Sequence, residues 1–174
     1  MIFFIRSVTF SIRHFDRKGN KQDMSLKISH VGDRVLLAGV IDENSDFSPL
    51  LKETAPLSID FSGIQRINSI GLRSWMRFMT QWGTNPLRYL DCPVVISDQL
   101  AVIPALRGIK SRIAIVVSAF IPYDCPRCQH QEDLRVEQIN VHPTVQPSVL
   151  SPLCPACKSP MELVNPEQLS IFEP

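Results

Sequence analysis

Two tetrapeptides place thiols at metal-binding spacing: CPRC at residues 125–128 and CPAC at residues 154–157. A C-x2-C pair can present two sulfurs to one ion from a single tight turn. Two such turns complete a tetrahedral four-sulfur site, the closed geometry of structural zinc. The spacing therefore predicts that Cys125, Cys128, Cys154 and Cys157 hold one Zn2+. Twenty-five residues separate the pairs, slightly more than the roughly 15–20 usual for this arrangement. Iron in a rubredoxin-like site is the competing metal, since ligand geometry alone does not separate the two. A redox role for one C-x-x-C leaves the second pair unexplained and expects a strand-to-helix turn, not a proline-rich setting. Gln129 and Lys158 stand where such knuckles commonly carry glycine. Four cysteines leave no ligand vacancy, so His130 and His142 read as exposed loop residues. A closed site has no position for water and contributes folding energy, ~10–16 kcal/mol, rather than catalysis. The fifth cysteine, Cys92, next to Pro93 at a helix start, reads as a small buried hydrophobe.

No second constellation suited to catalysis accompanies the thiols. His30 is the only histidine in residues 25–120. Asp60 lies at a strand end without a partner acid or base, and reads as a carboxylate satisfied by backbone N–H groups. No phosphate-binding loop and no dinucleotide fingerprint is present. The chain is expected not to be an enzyme. The other candidate segment is RINSIGLRSWMRFM, residues 66–79. Asn68 and Ser69 both favour a helix N-cap, Gly71 allows close backbone approach, and an amphipathic run follows. Ser69 either caps that helix or accepts a phosphate there. Arg66, Arg73 and Arg77 read as solvated helix charges.

Nine of the fourteen prolines fall at or after Pro122, and all seven glycines lie at or before Gly108, so a composition break is expected near residue 121. Before it, SLKISHVG and DRVLLAGVI are two strands meeting at Gly32-Asp33. ENSDFSPLLKETA predicts a short helix with Phe47, Leu50 and Leu51 on one face. PLSIDFSG is a buried strand with Leu57, Ile59 and Phe61 on one side. The next helix carries a stripe of Leu72, Trp75, Met76 and Met79. PLRYL is a strand, and Pro93 opens a helix bearing Ile96, Leu100 and Ile103, stopped by Pro104. RIAIVVSAFI is one long strand. The order β-β-α-β-α-β-α-β demands parallel pairing from the third strand onward. The expected fold class is α/β, a small, mostly parallel sheet with helices packed against it over residues 25–120. A zinc ribbon follows over residues 121–174, with strands in DLRVEQINV and MELV and a proline-rich tip from Pro143 to Pro152.

Residues 1–24 read either as a loosely attached N-terminal strand or as sequence upstream of a start at Met24, non-native or disordered. They lack the continuous apolar region and cleavage site of a secretory signal. No segment approaches the ~20 apolar residues of a membrane helix. Charge is uneven: the net is +3 over residues 1–24, +2 over 25–120 and −4 over 121–174. An acidic ribbon is a poor nucleic-acid surface, which needs clustered Lys and Arg. No nucleic-acid or membrane partner is expected.

The segment LSIDFSGIQRINSIGLRSWMRF resembles the centre of STAS domains, the fold shared by anti-sigma factor antagonists and sulfate-transporter tails. The likeness lies in an apolar strand ending in Asp, a short polar-Ser-x-Gly turn and a helix, and it covers roughly residues 25–120. RIAIVVSAFIPYDCPRC also looks like the junction in bacterial STAS-like proteins that carry a C-terminal zinc ribbon. The resemblance implies a bacterial, cytoplasmic, non-enzymatic signalling module that binds a protein partner, a serine kinase or anti-sigma factor. It implies phosphorylation at Ser69, with Asn68 standing where the family has an acidic residue, and a partner-binding face of Asn68, Ser69, Ile70, Gly71 and Arg73. The alternative use of the same helix N-terminus, Ser69 to Gly71, is as a nucleotide or anion sensor.

Overall fold

Alternating apolar residues set the first sheet. The computed structural model describes residues 25–108, 114–138 and 151–173; the expectations for residues 1–24, for His142 and for most of the proline-rich tip lie outside them. Strands β1 (Lys27–Val31) and β2 (Arg34–Ile41) form an antiparallel hairpin. Val31 pairs with Arg34 across Gly32-Asp33, and Gly32 supplies the left-handed residue, φ 65°, that a two-residue turn requires. Strands β3 (Leu57–Ile67), β4 (Leu87–Leu90) and β5 (Ala114–Val116) follow in parallel, giving the order β1-β2-β3-β4-β5. One register row runs Val35, Ile59, Tyr89, Val116, and all four are at most 2% exposed. The period of two along each strand thus aligns across the sheet as one buried face.

Helices α1 (Ser69–Trp82) and α2 (Val94–Val102) link β3 to β4 and β4 to β5. The buried stripe of α1 is Gly71, Trp75, Phe78, Met79 and Trp82, while Leu72 and Met76 are only partly buried against the core. The face is therefore rotated from the one expected, toward the i, i+4, i+7, i+11 series. Phe78 and Trp82 join a ring cluster in which Trp75 meets Phe47, Phe61, Phe78 and Tyr89 at centroid distances of 4.9–5.9 Å, the separations favoured by edge and tilted pairs. The Tyr89 hydroxyl donates to the Leu106 carbonyl at 2.9 Å, and burial pushes this phenol well above its ordinary pKa.

Two expected elements differ. The helix read in ENSDFSPLLKETA is a single 3-10 turn, Ser48–Lys52. Phe47 and Leu50 are buried as expected, but Leu51 is 37% exposed. Asp46 takes the N–H and hydroxyl of Ser48 at 2.8 and 2.9 Å, a local turn that competes with helix continuation. The strand read in RIAIVVSAFI is broken at Val117 into β5 and β6 (Ser118–Asp124). The Val117 N–H donates to Tyr89, while its carbonyl accepts from Gln138, so this residue joins both sheets.

The second sheet is antiparallel, in the order β7 (Gln131–Glu137), β6, β8 (Glu162–Leu163). Residue 121, the expected seam, lies inside β6. Cys92 pairs with Ala119 across the two sheets, and one apolar cluster contains Leu100, Leu106, Ile121, Cys125, Met161 and Phe172 together.

Candidate metal centre

Each cysteine pair sits on a turn built by the same backbone bonds. In the first, Cys125 N–H donates to His130 O and Gln129 N–H to Cys125 O, both at 2.8 Å. In the second, Cys154 N–H donates to Ser159 O at 2.8 Å and Lys158 N–H to Cys154 O at 2.9 Å. The position lacking glycine is left-handed in both turns, φ 59° at Gln129 and 61° at Lys158. The two knuckles are thus copies of one geometry, carried by β6 on one side and by the segment leading to β8 on the other.

The knuckles face one another. Cys125 Sγ lies 3.4 Å from Cys157 Sγ, and Cys128 Sγ lies 3.5 Å from Cys154 Sγ. All four sulfurs fall within 4.8 Å of each other. Zn–S bonds of about 2.3 Å give a tetrahedron with sulfur–sulfur edges of about 3.8 Å, so these separations fit one metal ion such as zinc. Cys125 and Cys154 are buried, which places half of the donor set inside the core.

The thiols are unlike one another. The Ser159 backbone N–H, and then its hydroxyl, draw the Cys157 thiol down to about 6. At Cys128 the His130 backbone N–H lowers the value, but the facing Cys154 thiol, burial and the other two thiols outweigh it and raise it to about 12. His130, half-buried where an exposed residue is expected, is not one of the clustered donors, and its Nε2 lies 3.7 Å from the Glu132 carboxylate. Cys92, fully buried with its thiol pushed well up by burial, stands apart from the cluster.

The second candidate region is the start of α1. Asn68 is the cap: its Oδ1 accepts from Ile70 N–H at 3.0 Å and Gly71 N–H at 2.8 Å. Of the two capping residues in the sequence, the structure uses Asn68, and Ser69 is the first helical residue with its side chain exposed. Glu43, which the sequence marks only as the first residue of ENSDFSPLLKETA, accepts from Asn68 Nδ2 at 3.0 Å. Two backbone donors that an anion would seek are therefore already occupied, beside a carboxylate. Gly71 is buried, and a Cβ there would lie 2.4 Å from the Ile41 carbonyl oxygen, so the helix start rests directly on the end of β2. Ile70, 48% exposed, and Arg73 face outward with Ser69. Asp60 accepts from the Ser62 N–H at 2.9 Å, a local backbone role inside β3.

Asp91 also escaped the sequence reading. Its φ is 47°, and its Oδ1 accepts from Ser118 Oγ at 2.8 Å and Arg135 Nε at 2.6 Å. It ties the end of β4 to β6 and β7. Isolated acidic residues give no motif that foretells such a tie.

No helix among the described residues is long and apolar enough to cross a membrane. No protein-family model, curated protein or solved structure matches this chain.

Proposed function

We propose that this protein is a non-enzymatic bacterial regulatory module of the STAS type, acting in the cytoplasm by binding a protein partner through the start of α1, with Ser69 as its phosphorylation switch. The observation that carries the reading is the composition of that surface. Ile70 stands in solvent between exposed Ser69 and Arg73, on a helix whose first donors are already satisfied by Asn68. An apolar side chain on a rigid, internally bonded turn can be covered by a partner without leaving backbone donors unpaired. A phosphate on Ser69 would add charge near −2 one residue from Asn68, whose side chain already donates to Glu43, so phosphorylation opposes docking of an acidic or apolar partner. The partner class that fits is a serine kinase or anti-sigma factor.

The four thiols complete the proposal as a structural Zn2+ ribbon. An all-sulfur set with two buried ligands suits a closed site, and metal analysis distinguishes zinc from iron. The test of the regulatory reading is affinity capture from the native host. Wild type and Ser69→Ala should recover the same ATPase-type kinase, and Ser69→Asp and Ile70→Asp should lose it. Equal recovery by all four forms defeats the proposal. The nucleotide- or anion-sensor alternative meets the occupied donors and Glu43 at the same place; millimolar silence toward GTP and inorganic phosphate in calorimetry is the expected result.

A further inference from the structure

Past the second knuckle the chain does not end in the ribbon. It returns to the first sheet's helices as a 3-10 helix, Pro166–Phe172, capped by Asn165. Ile171 and Phe172 are 1% and 2% exposed, and both belong to the core cluster. Arg107 Nη1 donates to the carbonyls of Ser170, Ile171 and Glu173 at 2.9–3.3 Å, a cation capping the carbonyl end of the segment. Gln168 reaches across to Asp98 on α2. This contact mixes core packing with polar bonds. It rests on Ile171 and Phe172 with Leu169 packed against the same cluster, on carbonyl bonds from Arg107 and from Gln138 Nε2 to Phe172 O at 3.3 Å, and on buried Gln168, whose Oε1 has no hydrogen-bond partner among the described residues. The polar bonds in this contact can be exchanged for bonds to water on release, which packing alone cannot.

The segment's chain connection to the rest of the ribbon runs through the second knuckle and buried Met161. The strand joining them, β8, pairs with β6 over two residue pairs only, extended by Val164 N–H to Pro122 O at 3.1 Å. The stronger link available between the knuckles is a metal shared by Cys125, Cys128, Cys154 and Cys157. Closing that link raises the effective concentration of the tail at α2 without any new contact there.

We infer that the C-terminal 3-10 helix is a metal-dependent latch, closed over α2 and Arg107 when the four-cysteine site is filled and released when it is emptied. The ribbon then reports metal occupancy on the surface of the α/β sheet's own helix. Linkage makes the effect reciprocal: whatever factor the metal adds to latch docking, docking adds to metal affinity.

Hydrogen exchange on the full chain tests this, comparing zinc-loaded protein with protein stripped by a chelator. Stripping should raise exchange in residues 94–107 and 166–172 by about tenfold or more, while peptides from β2 and β3 stay protected. Phe172→Ala, or the milder Arg107→Gln, should reproduce the α2 change with one zinc per chain still bound. In chelator competition the same variants should lose zinc several-fold more readily. Unchanged protection of α2 on stripping overturns the latch. So does joint loss of protection in β2 and β3, or an unaltered zinc affinity in both variants.

Discussion

Gln129 and Lys158 occupy the same place in two copies of one knuckle, each four residues after its first cysteine and each left-handed, at φ 59° and 61°. Side chains with a Cβ resist that conformation by about 1–2 kcal/mol, whereas glycine adopts it freely at some cost in unfolded-state entropy. Gln129→Gly and Lys158→Gly should therefore each stabilise the zinc-loaded protein by about 0.5–1 kcal/mol. Denaturant titration at fixed zinc concentration reads the change, and loss of stability in both variants would contradict the knuckle geometry.

The cluster gives a sharper prediction at its buried side. Cys154 is fully buried and faces Cys128 at 3.5 Å. Cys154→Ser should drop zinc content from one per chain to near zero and cost about 3 kcal/mol or more, because metal binding is part of folding. Cys92→Ser is the control: it buries a hydroxyl in an apolar place, at about 1–3 kcal/mol, and should leave zinc content unchanged. Elemental analysis of both purified variants checks the pair.

The sequence made these thiols legible because two C-x2-C pairs are self-contained: each knuckle needs only its own turn. The β1–β2 hairpin and the β3–α1 passage were legible for the same local reason, a turn signal next to a clean period. Features decided at a distance were not. Nothing in RIAIVVSAFI marks the break at Val117, since an unbroken apolar run suits two short buried strands as well as one long one. The proline-rich composition after residue 121 does not reveal that β6 runs through it, pairing with β7 and β8. PEQLSIF is too short to display a period, and its buried Gln168 reads as a surface residue until Asp98 is placed beside it. Asn68 and Ser69 have nearly equal capping propensity; contact of Gly71 with the end of β2 decides between them.

Asp91 supplies a test of how the two sheets are held together. Its carboxylate serves both Ser118, itself fully buried, and Arg135. Arg135 is 42% exposed at its side chain, so solvent screens that ion pair and Arg135→Ala should cost no more than about 1 kcal/mol, less at high salt. Asp91→Ala should cost about 2 kcal/mol, through a strained left-handed alanine and a Ser118 hydroxyl that still accepts from the residue 91 N–H but has lost the acceptor for its own proton. Asp91→Asn keeps the acceptor and tolerates φ 47°, and should recover about half of that loss. Urea titrations at two salt concentrations measure all three.

The start of α1 separates the residues that hold the structure from the one proposed as a switch. Asn68→Ala removes a side chain that accepts from two backbone donors and should cost about 1 kcal/mol. Gly71→Ala should cost about 3 kcal/mol or more, since its Cβ would press on the Ile41 carbonyl and on Asp42 N at 2.4 and 2.8 Å, both backbone atoms that cannot swing aside. Ser69→Ala should be neutral within about 0.5 kcal/mol, because the side chain is exposed and the cap bonds belong to Asn68. Thermal denaturation of the three variants ranks them directly. A Ser69→Ala loss as large as that of Asn68→Ala would make the serine a structural residue and remove the physical ground for regarding it as a switch.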